Sequence, residues 1–433
     1  MMRLRATFGG QWYDLQDRLW FIPTLFTIGA AILAIVMVRI DQSVISQRRP
    51  ESDWLFGAGA SGAREVLSVV AGTMITITGL VFSITIVALQ LASSQFTPRV
   101  LRTFTGDRGN QLVLGAFIAT FTYSLLVLRT VREARDDGGE AFVPSASVTV
   151  ALIMTAISVG FLIYFISHAA DSIRASVVID RAARDTLRIV DAQYPTDEAS
   201  DEFDSDRRDS VWLPASSLDV RAKKSGFLQS INEPHLLAVV SPDDVTLELT
   251  MSVGEFVMEG AVIATASPAH VVSADFANRV NEGFVVGSER TLREDLELGI
   301  RQLADIALRA LSPGINDPTT ATICVDRLAE ILLSVAKRPD PDPVRTGKDG
   351  RGRIRRLPLP WETLVFAAFN EIRHFGASDP MVALHLTRTL ARMAAIVPIE
   401  RREALDAQRR SVIAAARRSL DDQADVARVE SGR

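Results

Sequence analysis

Thr76, Ser83 and Gln90 follow one another at intervals of seven residues inside "TMITITGLVFSITIVALQLASSQFTPR", a stretch beginning at Thr73 that meets no charge until Arg99. Hydroxyl and amide oxygens are weak neutral ligands, able to replace part of an ion's hydration without holding the ion fast. At ~100° per residue, Gly72, Thr76, Gly79, Ser83, Ile86, Gln90, Ser94 and Thr97 fall on one narrow helical stripe, whose every member but Ile86 is small or polar. Two chemistries fit this pattern. Repeated around a symmetric oligomer, the stripe lines a water-filled path; turned onto another helix, its small residues allow close approach and its hydroxyls bond across the contact. Arg99 and Arg102, just past the stripe, fit either the cytoplasmic mouth of such a path, where they raise the local anion concentration, or anchors on lipid phosphate.

Other chemistries find little support. His168, His235, His270, His374 and His385 show no H-x-x-x-H spacing, and neither a G-x-S-x-G turn nor a Walker A loop occurs. The single cysteine, Cys324, excludes an internal disulfide and any multi-cysteine metal site. Neither an enzyme nor a cofactor is expected. In "RQLADIALRALSPGINDPTTA", Arg301, Asp305 and Arg309 stand four residues apart, so that one carboxylate can pair with both guanidiniums. Asn316 or Asp317 then sits where a helix N-cap is needed, with Pro318 at the first helical position. Free N–H groups at such a helix start also suit an anion. Asp317 already supplies negative charge there and no Walker Lys follows, so the cluster reads as structural.

These residues must be held by elements, and hydropathy defines the first of them. Hydrophobic residues make up 48% of the 433, a high share for a wholly soluble protein, and they concentrate in uncharged runs at about 20–38, 66–92, 110–128 and 148–168. Each run has about the ~20 residues that an α-helix needs to cross ~30 Å of hydrocarbon. Four transmembrane helices within residues 1–175 follow. None holds Asp, Glu, Lys or Arg in its interior, which weakens ion-coupled transport and intramembrane proteolysis. His168, at the end of the fourth run, reads as an interfacial residue. The second run, extended to Pro98, measures ~50 Å as one helix, longer than the hydrocarbon core, so its polar end projects beyond the membrane. Ten Arg flank one side of these helices against seven on the other, which favours both termini in the cytoplasm. The net charge of -5 argues against nucleic-acid binding; membrane lipid, other copies of the chain and a permeating ion are the expected partners.

After the membrane part, a helical extension and an acidic linker, "PTDEASDEFDSDRRDS", occupy 176–210. Residues 211–287 hold short β-like runs, "SGFLQSI", "LLAVV", "VTLELT" and "GAVIATA". The piece "VGEFVMEGAVIA" places Gly254 and Gly260 at tight turns and resembles the second half of biotinyl and lipoyl carrier domains. That resemblance implies a small barrel-sandwich-like domain. No Lys lies between Ile231 and Gly254, so it implies no swinging-arm cofactor. A helical domain is expected over 288–420, with Leu292, Leu296, Gly299, Leu303, Ile306 and Ala310 on its first apolar stripe. "KRPDPDPVRTGKDGRGRIRR" reads as a loop whose arginines are free to touch anionic lipid, and 421–433 as a flexible tail.

"SITIVALQLASSQFTPRVLRTFTGDRGNQ" together with "RQLADIALRALSPGINDPTTA" resembles the signature of a bacterial family of predicted membrane proteins catalogued as a domain of unknown function. The resemblance covers nearly the whole chain. It implies a four-helix membrane part followed by a cytoplasmic domain, and brings no activity or site residue with it. The reading that follows is an oligomeric ion channel or pore with a cytoplasmic regulatory domain; its rival is a membrane-anchored sensory or scaffolding protein without transport activity.

Overall fold

The computed structural model describes residues 19–44, 59–95, 107–133, 142–172, 174–195, 216–242, 244–347, 351–356 and 358–432. The chain forms two compact units, Met1–Arg174 and Ala175–Arg433.

Four long helices make the first unit: α1 (Phe21–Val44), α2 (Ala60–Gln95), α3 (Arg108–Leu128) and α4 (Ser145–Ser172). All four are long and apolar enough to cross a membrane. The third is the hub, packed against each of the others. Its buried face presents Val113, Leu114, Phe117, Tyr123 and Val127. Small residues bring the neighbours close: Ala30 and Ala34 on α1 and Ala63 on α2 are buried in the same cluster as Tyr123. A Cβ at Gly115 of α3 would lie 3.1 Å from Phe26 of α1.

Polar pairs fix which helix ends share a level. Asp41, 1% exposed near the end of α1, accepts from Ala146 N (3.1 Å), Ser147 N (2.9 Å) and Ser147 Oγ (2.5 Å) at the start of α4. Arg64, near the start of α2, donates to Glu133 and to the Val131 carbonyl past the end of α3, each at 3.1 Å. Asp107, the N-cap of α3, meets His168 in the last turns of α4 at 2.9 Å. These contacts demand four alternating, antiparallel spans, and at no pair do the ends disagree.

The second unit opens with α5 (Ala175–Gln193), a new helix and not a prolongation of α4. Strands β1 (Leu218–Arg221), β2 (Gly226–Ile231), β3 (Thr246–Leu249), β4 (Phe256–Val257), β5 (Val262–Ser267), β6 (Phe284–Gly287), β7 (Val344–Thr346) and β8 (Gly352–Arg356) build two sheets, ordered β1-β5-β3-β8-β7 and β4-β2-β6. All pairs are antiparallel except β3 with β8. Helices α6 (Glu233–Val240) and α7 (Ala274–Asn281) contribute Leu236, Val240, Phe276 and Val280 to the core between them, beside Leu228, Leu247, Ile263 and Ile354. Gly254 and Gly260 do occupy positive-φ turns, at +96° and +83°.

Several expectations need correction here. "LLAVV" is part of α6, because the Asn232 side chain accepts from His235 N and a Pro stands in the first turn, which starts a helix where hydrophobicity alone reads as a strand. The Arg-rich segment is no simple loop: β8 adds to the sheet alongside β3, burying Ile354 at 0% and Arg353 at 4% exposure. Arg345 and Arg356 from this hairpin hold Glu233 at 2.8 and 3.3 Å.

The helical part comprises α8 (Leu296–Ala310), α9 (Pro318–Ala336), α10 (Trp361–Gly376), α11 (Pro380–Ile396), α12 (Ile399–Ser419) and α13 (Gln423–Ser431), with α5 packed on α8 and α9. The first of these starts at Leu296, eight residues later than Ser288, behind the cap Asp295, so Leu292 precedes the helix. Asp295 accepts from Leu298 N and takes a bidentate pair from Arg290, both bonds at 2.7 Å. The terminal residues, expected to be a tail, form α13, which Asp422 caps and whose Val426 and Val429 are buried.

Candidate functional site

The stripe on α2 can be placed on the folded unit. Its opposite face, Leu67, Val70, Ala71, Met74, Thr78 and Val81, is buried, and α2 packs against α3 and α4. Gly72, Thr76, Gly79, Ser83 and Gln90 are exposed and Ile86 is half-buried. Among the described residues no helix of the unit covers them: a Cβ at Gly72 or Gly79 would meet nothing within 4 Å. Thr76 Oγ1 donates to the Gly72 carbonyl at 2.8 Å, which satisfies its O–H along its own helix and leaves the oxygen's acceptor lone pairs for other partners. The side chain of Ser94 and the whole of Arg99 and Arg102 lie outside the described residues.

The outer faces of the other spans are dominated by large apolar residues. Leu25, Ile28, Ile32, Ile35 and Val36 cover α1, and Leu152, Ile153, Ile157, Ile163 and Ile166 cover α4. Such surfaces suit lipid tails. On α2 large residues, Ile75, Leu80, Phe82 and Val87, flank the polar line without interrupting it.

One carboxylate belongs to this line and is hidden by a reading that begins the run at Val66. Glu65 precedes Gly72 by seven residues, so it stands on the same face, and it is exposed. Its neighbour Arg64 is turned to α3 and held there by Glu133 and the Val131 carbonyl. From Glu65 to Gln90 the line is ~38 Å long, enough to traverse the hydrocarbon.

A second polar cluster joins α3 to α4. Asp107 Oδ1 accepts from Gly109 N (2.8 Å), Asn110 N (3.3 Å) and His168 Nε2 (2.9 Å). Tyr164 stacks on the imidazole, ring centroids 5.2 Å apart and planes 15° from parallel, with its hydroxyl 3.4 Å from Nδ1. The approach depends on Gly109: a Cβ there would lie 2.8 Å from Tyr164 Oη, 2.9 Å from His168 Nε2 and 3.0 Å from Asp107 Oδ1. His168, read from sequence as interfacial, is therefore also a partner of a buried carboxylate.

In the second unit, the cluster around α8 is ionic and structural. Arg301 pairs with Glu297 at 3.0 Å and with Glu371 of α10 at 3.2 Å. Hydrogen bonding to these carboxylates raises the Arg301 pKa, and the guanidinium stays charged. Asp305 is half-buried and Arg309 exposed. Asn316 takes φ +49° in the turn before α9, and Asp317 is the cap: it accepts from Thr320 N at 3.0 Å and Thr320 Oγ1 at 2.6 Å. Those bonds hold its carboxyl below the usual range. Cys324 is fully buried and its thiol is pushed up by desolvation, which suits packing and not nucleophilic attack. Among the described residues no group of three His, Cys, Asp or Glu is arranged to hold a metal ion.

Four apolar spans and a mixed α/β C-terminal unit define a multi-helix membrane protein. Residues 16–392 match the family described as Predicted membrane protein (DUF2254), and the chain belongs to that family. Over 426 residues it is 36% identical to an uncharacterized protein of Mycobacterium bovis and to one of Mycobacterium tuberculosis, in each case over 96% of this chain and 79% of the relative. No solved structure matches the chain.

Proposed function

We propose that this protein is an oligomeric ion channel or pore of the bacterial inner membrane, with no enzymatic activity, and that its C-terminal unit is a cytoplasmic regulatory domain. One observation carries the reading: the small and polar line of α2 is exposed, uncovered by any described helix of its own unit. Exposed to lipid tails, Gln90 and the hydroxyl-bearing positions would face a solvent that offers them no hydrogen bonds. Symmetric copies meeting along α2 give those groups water or one another. Thr76, Ser83 and Gln90 then face the axis ~10 Å apart, with Glu65 at the outer mouth and Arg99 and Arg102 at the cytoplasmic one. The β part is read as a barrel-sandwich-like module within the regulatory domain. Membrane lipid, further copies of the chain and the permeating ion are its partners; nucleic acid is not.

A second reading is favoured by the same glycines. Gly72 and Gly79, seven residues apart with Thr76 and Ser83 between and beyond, form a small-residue seam on which copies pack with no water between them, as a scaffold or sensor requires. Planar-bilayer recording separates the two. The native protein conducts, Ser83→Leu inserts an apolar constriction and lowers the conductance, and Arg99→Glu moves the reversal potential toward cations. Silence of the native protein across voltage, tension and pH rejects the channel and leaves the seam.

A further inference from the structure

We propose that the end of the helical part carrying Ile315, Phe375 and Met381 is a membrane-surface contact, whose apolar side chains dip into the headgroup region of the bilayer that the chain itself crosses. The inference stands independently of conduction, since it concerns the second unit and lipid.

The three residues are brought together by the packing of α8, α10 and α11. A Cβ at Gly376, the last residue of α10, would lie 3.1 Å from Leu311 Cδ1 just past α8 and 2.7 Å from Val382 Cγ1 in the first turn of α11. Phe375 precedes Gly376 and Met381 precedes Val382, while Ile315 follows Leu311 by four residues, in a turn where Ile315 N donates to the Ser312 carbonyl at 3.0 Å. Ile315 is 41% exposed, Met381 47% and Phe375 60%. Pro313, Gly314, Asn316 and Ser378, beside them in the two turns, are exposed and uncharged. The adjoining carboxylates are helix caps that accept from backbone N–H groups, Asp317 from Thr320 N and Asp379 from Met381 N and Val382 N.

This is also the end of the helical part at which α5 begins. Helix α5 runs antiparallel to α8: Gln193 Nε2 donates to the Glu294 carbonyl at 2.6 Å, and Thr186 lies against Gly299. It runs parallel to α9, where Arg327 pairs with Asp180 at 2.9 Å and Arg338 with Asp191. Ala175 therefore stands level with the turn between α8 and α9. The last apolar span, α4, ends at Ser172, so the chain leaves at most ~10 Å between that residue and Ala175. The same geometry selects the occupant. Ile315, Phe375 and Met381 expose roughly 300 Å² between them, well under the ~800 Å² that each partner of a standard protein interface buries. A bilayer joined to the same chain needs no such area, because the tether supplies the effective concentration. Ser419 Oγ donates to the Ala377 carbonyl at 3.1 Å and so brings the end of α12 here. Its exposed Arg417 and Arg418 are offset by the exposed Asp421 and Asp422, which leaves apolar contact to decide the matter.

Ile396 and Ile399, 54% and 67% exposed, are the internal control. They lie at the opposite end, where Arg401 Nη1 donates at 2.9 Å to the carbonyl of Val335, next to the last residue of α9. Nitroxide labels at Ile315→Cys, Phe375→Cys, Met381→Cys, Ile396→Cys and Ile399→Cys are placed one at a time in the full chain, in phosphatidylcholine nanodiscs; the native Cys324 is fully buried and stays in place. Power saturation then compares oxygen, which concentrates in lipid, with a water-soluble nickel chelate. The first three labels should relax mainly through oxygen and the last two mainly through the chelate. Phe375→Glu, a change at an exposed position, should return the label at Ile315→Cys to the chelate. Chelate-dominated relaxation at all five positions overturns the proposal. So does exclusion of both reagents from the first three, as a covering protein chain would cause, or a label at Ile315→Cys that Phe375→Glu leaves unmoved.

Discussion

Glu65 gives the neutral line on α2 a sign that Thr76, Ser83 and Gln90 do not have. In the proposed channel a ring of such carboxylates would concentrate cations at the outer mouth, so Glu65→Gln should move the reversal potential in a salt gradient toward zero, and Glu65→Lys should carry it further toward anions. A selectivity unchanged in both variants would remove Glu65 from the path. Asp317 makes a separate claim, on stability. Its loss as a helix cap in Asp317→Ala should cost ~1 kcal/mol, read as a lower thermal midpoint of the full chain in detergent. Because the folded carboxyl titrates below its usual range, its contribution is present above about pH 4 and disappears as pH falls through the folded pKa; the native and Asp317→Ala midpoints should converge there. Sequence reading narrowed the cap to Asn316 or Asp317 because Pro318 follows them, and the fold selects Asp317. That reading did not find Asp107 with His168, which are 61 residues apart and meet only when α3 and α4 pack.

Uncharged apolar runs of about twenty residues carry their own evidence, and the four spans are legible for that reason. The strand β8 was not: Gly352–Arg356 has only Ile354 as an apolar residue, and its place is fixed by β3, a hundred residues earlier. Likewise α13 is held by just two buried valines, too few to set a period. Sequence does mark Gly299 as part of an apolar stripe, yet the reason for glycine appears only in the packing of α5 on α8. A Cβ there would lie 2.4 Å from Thr186 Oγ1 and 2.7 Å from its Cγ2. Gly299→Ala should therefore force the helices apart at a cost of ~1–3 kcal/mol. Adding Thr186→Ala should restore part of the lost thermal midpoint, since it deletes both atoms; a fully additive double variant would show that the clash is not what destabilises the single one.

At the scale of the whole molecule, the proposal requires more than one chain. Mass photometry in nanodiscs should give a protein mass that is a multiple of 47.3 kDa, and a mass of one chain rejects both the channel and the packed seam. Sidedness is testable in intact cells through cysteines introduced at exposed positions, the native Cys324 being buried. A membrane-impermeant maleimide applied to intact cells should label Ser61→Cys and spare Ser378→Cys, and the reverse pattern would invert the topology. Asp41 has a further consequence, for biogenesis. Its carboxylate closes the start of α4, yet roughly a hundred residues must be synthesised before those donors exist. While only α1 to α3 are in place, the carboxylate keeps its hydration only at the lipid–water boundary. Arrival of the fourth span lets it go under cover, so a chain truncated before Ser145 should keep that carboxylate hydrated and leave the bundle open at this end.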